Sequence, residues 1–138
     1  MDLASVVGFM AERSQGVLAT HRKNGRPQLS NVVYGVTDGI VGVSITADRA
    51  KTHNLRRDPR ASLHVTSDDF RRWAVVDCDV ELGTIAGVLG DAGVSALTDL
   101  YRSIRGEHPD WDEFGQAMID ERRLVARLRP VHAYGQRV

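Results

Sequence analysis

The fold is decided by the segment from Arg49 to Val65, which is Arg-Ala-Lys-Thr-His-Asn-Leu-Arg-Arg-Asp-Pro-Arg-Ala-Ser-Leu-His-Val. An alternating apolar run precedes it, and Asp48 is a favourable N-cap, so we expect a short helix to begin directly after Asp48. Because proline disfavours helical backbone angles in the residue before it, Pro59 should end that helix and allow a strand to begin at Arg60. The segment therefore predicts a strand, a short helix and a second strand.

The start of this predicted helix has the features of a phosphate site. Arg49, Lys51 and Thr52 fall in or beside its first turn, where backbone N–H groups lack helical partners and the helix dipole is positive. Two cations and a hydroxyl at such a place favour a bound phosphate. The alternative is a surface helix whose cations are only solvated, and the residues alone leave both interpretations open.

The same segment resembles the signature of the pyridoxamine-phosphate-oxidase-like split-barrel flavoproteins. The closest resemblance is to their F420-dependent branch, the flavin/deazaflavin oxidoreductases of B type. In that branch a basic-Ala-Lys-Thr segment, followed by Asn-Leu-Arg-Arg-Asp-Pro-Arg-Ala, holds the cofactor phosphate, and positions 49–52 and 54–61 match both parts. The resemblance covers nearly the whole chain. It implies an oxidoreductase that transfers a hydride from reduced coenzyme F420 to a small organic acceptor.

Periodicity along the rest of the chain predicts a mainly β protein with peripheral helices. Helical patterns fall near residues 3–15, 49–58, 94–106 and 111–121, and strand patterns fall at 17–21, 27–36, 40–46, 60–65, 72–82 and 124–129. Pro130 indicates that the last strand lies at an edge or ends in a bulge. Short connections favour antiparallel pairing, so we expect an antiparallel barrel in one domain over residues 1–138. The resemblance makes this a six-stranded split β-barrel of the FMN-binding type.

Composition and missing motifs exclude several classes of function. Eighteen basic and eighteen acidic residues give a net charge of zero, so we expect neither nucleic acid nor a membrane as a partner. The five histidines lack metal-ligand spacing, the single cysteine, Cys78, is expected in the core, and no nucleophile elbow or dinucleotide loop occurs. We therefore expect no metal and no catalytic residue, and we assign redox chemistry to a bound organic cofactor. The N-terminus is unlike a signal peptide, so we expect a complete, cytoplasmic protein.

The resemblance also implies a set of cofactor-binding residues. The segment beside the deazaflavin ring corresponds to Gly25, Arg26, Pro27, Gln28, Ser30 and Asn31. The segment for the phosphate and the start of the acidic tail corresponds to Arg49, Lys51, Thr52 and Asn54. Further positive charge for a polyglutamate tail comes from Arg56, Arg57 and Arg60, although salt bridges and solvation account for these three equally well. Trp73 matches an aromatic residue that reaches the cofactor across a dimer interface.

Three features leave alternatives open. Gly42 and Ser44 are small and should permit close approach of a planar ligand or of another backbone segment. His53 either lines the cofactor groove or is simply exposed. Trp73 and Trp111 are candidates for contacts across the two-fold axis of a homodimer, which open sheet edges would favour, or each fills the core of its own chain.

Two other functions compete with F420-dependent reduction. The first is an FMN-dependent oxidase of pyridoxamine or pyridoxine phosphate, whose C-terminus usually carries an Arg-Leu-x-Pro-x-Arg-type segment. Residues 128–138 do not match that segment. The second is a non-catalytic protein that binds a flavin or a tetrapyrrole in the same groove.

Overall fold

The structure, a computed structural model, describes residues 2–138 and consists of a closed six-stranded barrel with four helices. The strands lie in the order β1-β2-β3-β6-β5-β4, and every neighbouring pair is antiparallel. The strands are β1 Gln15–His21, β2 Pro27–Thr37, β3 Ile40–Thr46, β4 Arg60–Thr66, β5 Trp73–Leu82 and β6 Arg123–Gln136. The helices are α1 Leu3–Ala11, α2 Ala50–Arg57, α3 Ala92–Arg105 and α4 Trp111–Asp120. The predicted mainly β, six-stranded antiparallel split barrel is confirmed.

Pro130 lies at a bulge rather than at a sheet edge. Strand β6 pairs with both β3 and β5, and its register with β5 shifts between Asp77, which faces His132, and Cys78, which faces Pro130. Val131 is left without a partner in this ladder, as expected where proline supplies no N–H. The ladder then resumes, so β6 continues to Gln136, whereas the sequence predicted an end near Arg129.

The barrel closes on itself, and this corrects one expectation. We expected open sheet edges that would favour a homodimer, but β1 pairs with both β2 and β4 and completes the ring. A closed barrel presents no free edge to a partner. Any argument for a dimer must therefore come from the outer face of the barrel.

Helix α1 covers one end of the barrel through a buried hydrogen bond. The Tyr34 side chain is fully buried, and its hydroxyl donates to the carbonyl oxygen of Met10 at 2.7 Å. Burial raises the pKa of Tyr34, so the hydroxyl stays protonated and can donate. Val6, Phe9 and Met10 are buried beside it and join the barrel core. The predicted N-terminal packing helix is therefore present.

Helix α2 covers part of the barrel through its inward face. Leu55 and Asn54 are buried, and the Asn54 amide donates to the Thr20 hydroxyl at 3.1 Å. The N-cap residue is Arg49, which is extended and makes no side-chain capping bond. The prediction that Asp48 caps the helix is wrong by one residue, because the chain stays extended through Arg49. The predicted end before Pro59 is correct.

Helix α3 packs closely on the outside of the barrel because two glycines, Gly35 and Gly42, pair on the outer surface of β2 and β3. A Cβ atom at Gly35 would lie 2.7 Å from the Ser103 hydroxyl, and one at Gly42 would lie 3.0 Å from the Leu100 side chain. The space beside Gly42 is therefore taken by the Leu100 side chain of α3 rather than by another backbone segment. Asp110 caps α4 as predicted, since its carboxylate accepts from the Glu113 N–H at 3.1 Å.

Cys78 is a core residue, as predicted from its strand pattern. Its side chain is buried in the main core, and burial, with a smaller effect of Asp77 and Asp79, raises the pKa of the thiol to about 12. A thiol that stays protonated is a poor nucleophile.

None of the helices within residues 2–138 has the length and apolar character needed to cross a bilayer.

We predict that Tyr34→Phe lowers the free energy of unfolding by about 0.5–1.5 kcal/mol, because a buried hydrogen bond is lost while the Met10 carbonyl still accepts from the Arg13 N–H at 3.0 Å. Tyr134 provides a matched control, since it is 46% exposed and its replacement by phenylalanine should cost less than about 0.5 kcal/mol. Urea unfolding of both variants measures the difference. Equal stability of the two variants would show that the Tyr34 hydrogen bond does not hold α1 on the barrel.

Candidate functional site

A groove of about 590 Å³ lies on the outer surface of β2 and β3, beside α3 and α4, and we call it the β2–β3 groove. Its floor is formed by the outward residues of the two strands, which are Asn31, Val33, Ser44 and Thr46. Its wall is apolar and comes from the helices, with Leu97, Leu100, Tyr101, Ile104, Phe114 and Met118. The groove lies beyond Gly35 and Gly42, where the outward positions of the two strands carry side chains.

One end of the groove is strongly basic. Arg49 and Lys51, from the start of α2, and Arg123, from the start of β6, all line it. Within residues 2–138, no ion pair includes Arg49 or Lys51. Partial burial, with a further effect of Arg49 and then Arg123, lowers the pKa of Lys51 from its ordinary value of 10.5. Like charges held together in this way favour a bound anion, which would relieve their repulsion.

Arg123 is held in place by two neighbours in the groove. Its Nε and NH2 atoms both donate to Glu121 Oε1 at 3.1 Å, and NH1 donates to the Ser44 hydroxyl at 3.2 Å. The pairing of Thr46 with Arg123 in the β3–β6 ladder places the arginine at this end of the groove. The guanidinium is therefore fixed above the floor rather than free in solvent.

Thr52 does not line the groove, but it fixes the position of the basic end. Its side chain is fully buried, and its hydroxyl donates to the Thr46 carbonyl at 2.6 Å. The N–H groups of Thr52 and His53 both point to the Arg49 carbonyl, at 3.1 and 3.2 Å. The first-turn N–H groups that remain for a ligand are those of Ala50 and Lys51. Thr52 thus ties α2 to the end of β3, and Lys51 presents its charge to the groove.

The remaining residues of the α2 segment lie away from the groove. Asn54 is buried, and Arg57 donates to the Asn54 side chain at 3.0 Å and to the His21 carbonyl at 2.6 Å. Arg56 donates to the Ala47 carbonyl at 3.3 Å. His53 is exposed and does not line the groove, which decides between its two interpretations.

A second, basic depression lies at the far end of α2. Arg57 and Arg60 line it together with Gly25 and Lys23 of the β1–β2 turn. Arg60 also forms an exposed ion pair with Asp58, with both contacts at 2.9 Å. Because α2 has eight residues and is roughly 12 Å long, the depression lies at the opposite end of this helix from the basic end of the groove.

Only one residue of the predicted ring-binding segment lines the β2–β3 groove. Side chains alternate along β2, so Asn31 faces outward into the groove, whereas Gln28 and Ser30 pair with Thr20 and Leu18 and face the barrel interior. The Ser30 hydroxyl is buried and has no hydrogen-bond partner within the described part of the chain. The other members of the segment, Gly25, Arg26 and Pro27, lie at the β1–β2 turn.

Trp73 lies on a different outer surface of the same barrel. Its ring packs against His64 at 5.9 Å and Tyr134 at 6.1 Å between centroids, and its indole N–H donates to the Gln136 side chain at 3.3 Å. Trp73 does not line the groove of its own chain. Its predicted contact with a cofactor in a partner chain stays a prediction.

Several groove residues could not be identified from the sequence. Arg123 gave no signal, because its position depends on the long-range pairing of β3 with β6. The apolar residues of α3 and α4 were recognised as one face of each helix, but the pattern could not show that part of this face borders an open groove. From the sequence, Glu121 could be recognised only as the end of a predicted helix.

Comparison with known proteins agrees with the fold. Residues 4–137 match the family described as pyridoxamine 5'-phosphate oxidase. A conserved hypothetical protein from Mycobacterium tuberculosis is 24% identical, with a TM-score of 0.77 over 99% of this chain and 84% of that one. A protein described as an F420 reductase is 22% identical, with a TM-score of 0.69 over 91% and 94% of the two chains. The heme storage protein HutZ from Vibrio cholerae is 18% identical, with a TM-score of 0.68 over 99% and 96%.

The six-stranded barrel with helices packed on its outer surface places this protein in the split-barrel class. The chain belongs to the pyridoxamine 5'-phosphate oxidase family, since the family match covers residues 4–137. The resemblance derived from the Arg49–Val65 segment is thereby confirmed at the level of the family. The solved structures are all below 25% identity and support the fold alone.

We predict that Lys51→Ala weakens the binding of a phosphate-bearing cofactor by about 1–3 kcal/mol, the range of a charge-assisted hydrogen bond. His53 lies two residues after Lys51, on the exposed side of α2. His53→Ala should therefore change the affinity by less than about 0.5 kcal/mol. Calorimetric titration measures the affinity, and thermal unfolding checks the fold. A lower melting temperature of Lys51→Ala with unchanged affinity would make Lys51 a structural residue.

Proposed function

We propose that this protein is an oxidoreductase that transfers a hydride from reduced coenzyme F420 to a small organic acceptor, such as a conjugated double bond, an imine or a quinone. The observation that carries the proposal is the β2–β3 groove, which joins a basic end to a floor of strand residues and an apolar wall. A planar ring with an attached phosphate has this distribution of charge and apolar surface.

The charged, polar and apolar side chains of the groove match the chemical groups of such a cofactor. Lys51 and Arg49, with the first-turn N–H groups of α2, would hold the phosphate. Asn31 and Ser44 supply polar groups on the floor, and the apolar wall excludes water from the acceptor. When bound, the reduced cofactor supplies the hydride, while the chain binds, orients and shields it.

Two observations favour F420 over FMN. The segment from Arg49 to Ala61 matches the F420 branch at both of its parts, and the C-terminal segment of the vitamin B6 oxidases is missing. The basic depression at Arg57 and Arg60 lies at the opposite end of α2 from Lys51, with Arg57 roughly 9 Å further along the helix. An acidic tail can reach this position, and FMN has no group to occupy it. The similarity to an F420 reductase is consistent with this choice but extends only to the fold.

We predict that the protein binds F420 more tightly than FMN. Added salt should weaken F420 binding more than FMN binding, because salt screens the exposed arginines that would contact the acidic tail of F420. Side-by-side calorimetric titration at low and at moderate ionic strength measures both effects. FMN binding tenfold tighter than F420 would overturn the choice of cofactor.

A turnover assay distinguishes an F420-dependent enzyme from a protein that only binds the cofactor. Steady oxidation of reduced F420 in the presence of a quinone such as menadione, above the rate without protein, is the expected result. Tight binding without turnover across several classes of acceptor would favour the non-catalytic alternative, a flavin or tetrapyrrole carrier.

We propose further that the working unit is a homodimer formed through the outer face of β1, β4 and β5. Exposed apolar side chains lie on or beside this face, with Leu29 61% exposed and Tyr134 46% exposed. Asn31 and Val33 border both this face and the β2–β3 groove, so a partner chain would lie next to the groove. Trp111 is not part of this proposal, because its ring packs against Tyr101 and other aromatic residues of its own chain.

We predict that Leu29→Asp converts the dimer to a monomer, because association would bury the new charge without a partner. Val88→Asp is the matched control, since Val88 is 68% exposed on the loop before α3 and lies away from the face. Sedimentation at micromolar concentration distinguishes the species. A monomeric wild-type protein with cofactor bound would contradict the shared groove.

A further inference from the structure

A fourth cation lines the β2–β3 groove, away from its basic end. Arg105 is the last residue of α3, is exposed, and lies on the helical side of the groove. Within residues 2–138 it takes part in no ion pair. The carboxylate that lines the groove, that of Glu121, is bound to Arg123 at 3.1 Å. The described part of the chain therefore leaves the charge of Arg105 without a counterion.

The course of α3 determines which side of the groove Arg105 occupies. Leu100 lies against Gly42 of β3, and Ile104 lies against Gly35 of β2, because Cβ atoms at these glycines would each lie 3.0 Å from the side chain concerned. The helix thus crosses the sheet from β3 towards β2 and ends there. Arg105 follows Ile104 directly, so its backbone lies over β2.

The basic end of the groove lies further along the strands. Thr46, at that end, is four residues beyond Gly42 in β3, which corresponds to roughly 13 Å. Burial, and then the two arginines of the basic end, lower the pKa of Lys51, and Arg105 is not among the charges that affect it. The groove therefore has positive charge at two separate places.

The backbone that carries Arg105 is well fixed. Gly106 follows it with a φ of 81°, a left-handed conformation that ends the helix, and its N–H donates to the Arg102 carbonyl at 3.0 Å. One turn before Arg105, the Tyr101 ring packs against Phe114 of α4 with 5.0 Å between centroids. Only the arginine side chain is free to adjust to a ligand.

Arg102, in the same last turn of α3, provides a contrast. It pairs with Glu107 at 3.1 Å, its guanidinium lies 4.6 Å from the centre of the Trp111 ring, and it does not line the groove. Both arginines interact favourably with the negative end of the helix dipole. The dipole therefore accounts for two cations in this turn but not for the position of Arg105 in the groove.

We propose that Arg105 binds a carboxylate of the hydride acceptor, so that the substrates of this protein are unsaturated or quinoid organic acids. The planar guanidinium of arginine suits a carboxylate because it can donate two parallel hydrogen bonds. The acceptor would lie along the apolar wall, with its acidic group on the side away from the cofactor phosphate. It gains a hydride and a proton, both supplied in net terms by reduced F420, which is oxidised. The inference rests on the proposed function, since it names the class of acceptor for the same groove.

Two naphthoquinones test the proposal, one with a carboxyethyl side chain and the other with the methyl ester of that side chain. They differ in charge, whereas the ring that accepts the hydride is the same. Calorimetric titration of protein saturated with oxidised F420 measures the affinity for each quinone, because no hydride can pass while both partners are oxidised. Wild type should bind the acid about fivefold to thirtyfold more tightly than the ester, the effect of a charge-assisted hydrogen bond that water partly screens.

Three variants identify the residue responsible. Arg105→Gln should reduce the preference for the acid to less than about twofold, whereas Arg105→Lys keeps the charge and should keep part of the preference. Arg102→Gln removes one charge from the same turn but outside the groove, and it should leave the ratio of the two affinities unchanged. In turnover with reduced F420, the effect of Arg105→Gln should fall on the KM for the acid rather than on kcat.

An acid that binds wild type no more tightly than its ester overturns the inference, as does a preference that Arg105→Gln leaves intact. Weaker binding of F420 itself to Arg105→Gln also overturns it, because Arg105 would then contact the cofactor. Failure of the proposed function gives a different result. If wild type does not bind F420, or does not oxidise reduced F420 with either quinone, hydride transfer is wrong and the inference fails with it. If both quinones are reduced without preference for the acid, only the inference fails.

Discussion

The close contact of α3 with the Gly35 and Gly42 pair is the constraint on which the site depends. A Cβ atom at Gly35 would lie 2.7 Å from a side-chain oxygen of α3, so the helix can lie here only because both strands lack side chains at this point. Two residues further along each strand, Val33 and Ser44 carry outward side chains and line the groove. The groove is the space that opens there, and its apolar wall is the part of α3 and α4 that the sheet does not cover.

The charge of the groove is local, which agrees with a chain of zero net charge. Eighteen acidic residues balance eighteen basic ones, but Arg49, Lys51 and Arg123 converge at one end of the groove with Glu121 as the carboxylate beside them. The convergence depends on two different contacts. The hydrogen bond from Thr52 to the Thr46 carbonyl holds α2 at the end of β3, and the pairing of Thr46 with Arg123 brings β6 to the same place.

The sequence predicted the parts of this arrangement that depend on local signals. Pro59 ended α2 where expected, Asp110 capped α4, and strand alternation placed Cys78 in the core. Positions that depend on the three-dimensional arrangement were missed or misplaced. Gln28 and Ser30 were assigned to the ring-binding segment as consecutive matches, but alternation along β2 turns them into the barrel. Arg123 was missed, because nothing near it in sequence shows that it pairs with β3.

The central claim is that Lys51 contacts the phosphate of the cofactor, and lysine acetylation tests it most directly. The chain has only two lysines, Lys51 in the groove and Lys23 in the β1–β2 turn beside the basic depression, so mass spectrometry can follow the modification of each one separately. The protein would be treated with acetic anhydride with and without saturating F420 or FMN, and the modification of each lysine would be measured by mass spectrometry. We predict that F420 protects Lys51 from acetylation, and that saturating FMN, which has no tail to reach the depression beside Lys23, protects Lys51 and leaves Lys23 reactive. Equal reactivity of Lys51 in the free and the saturated protein would contradict it.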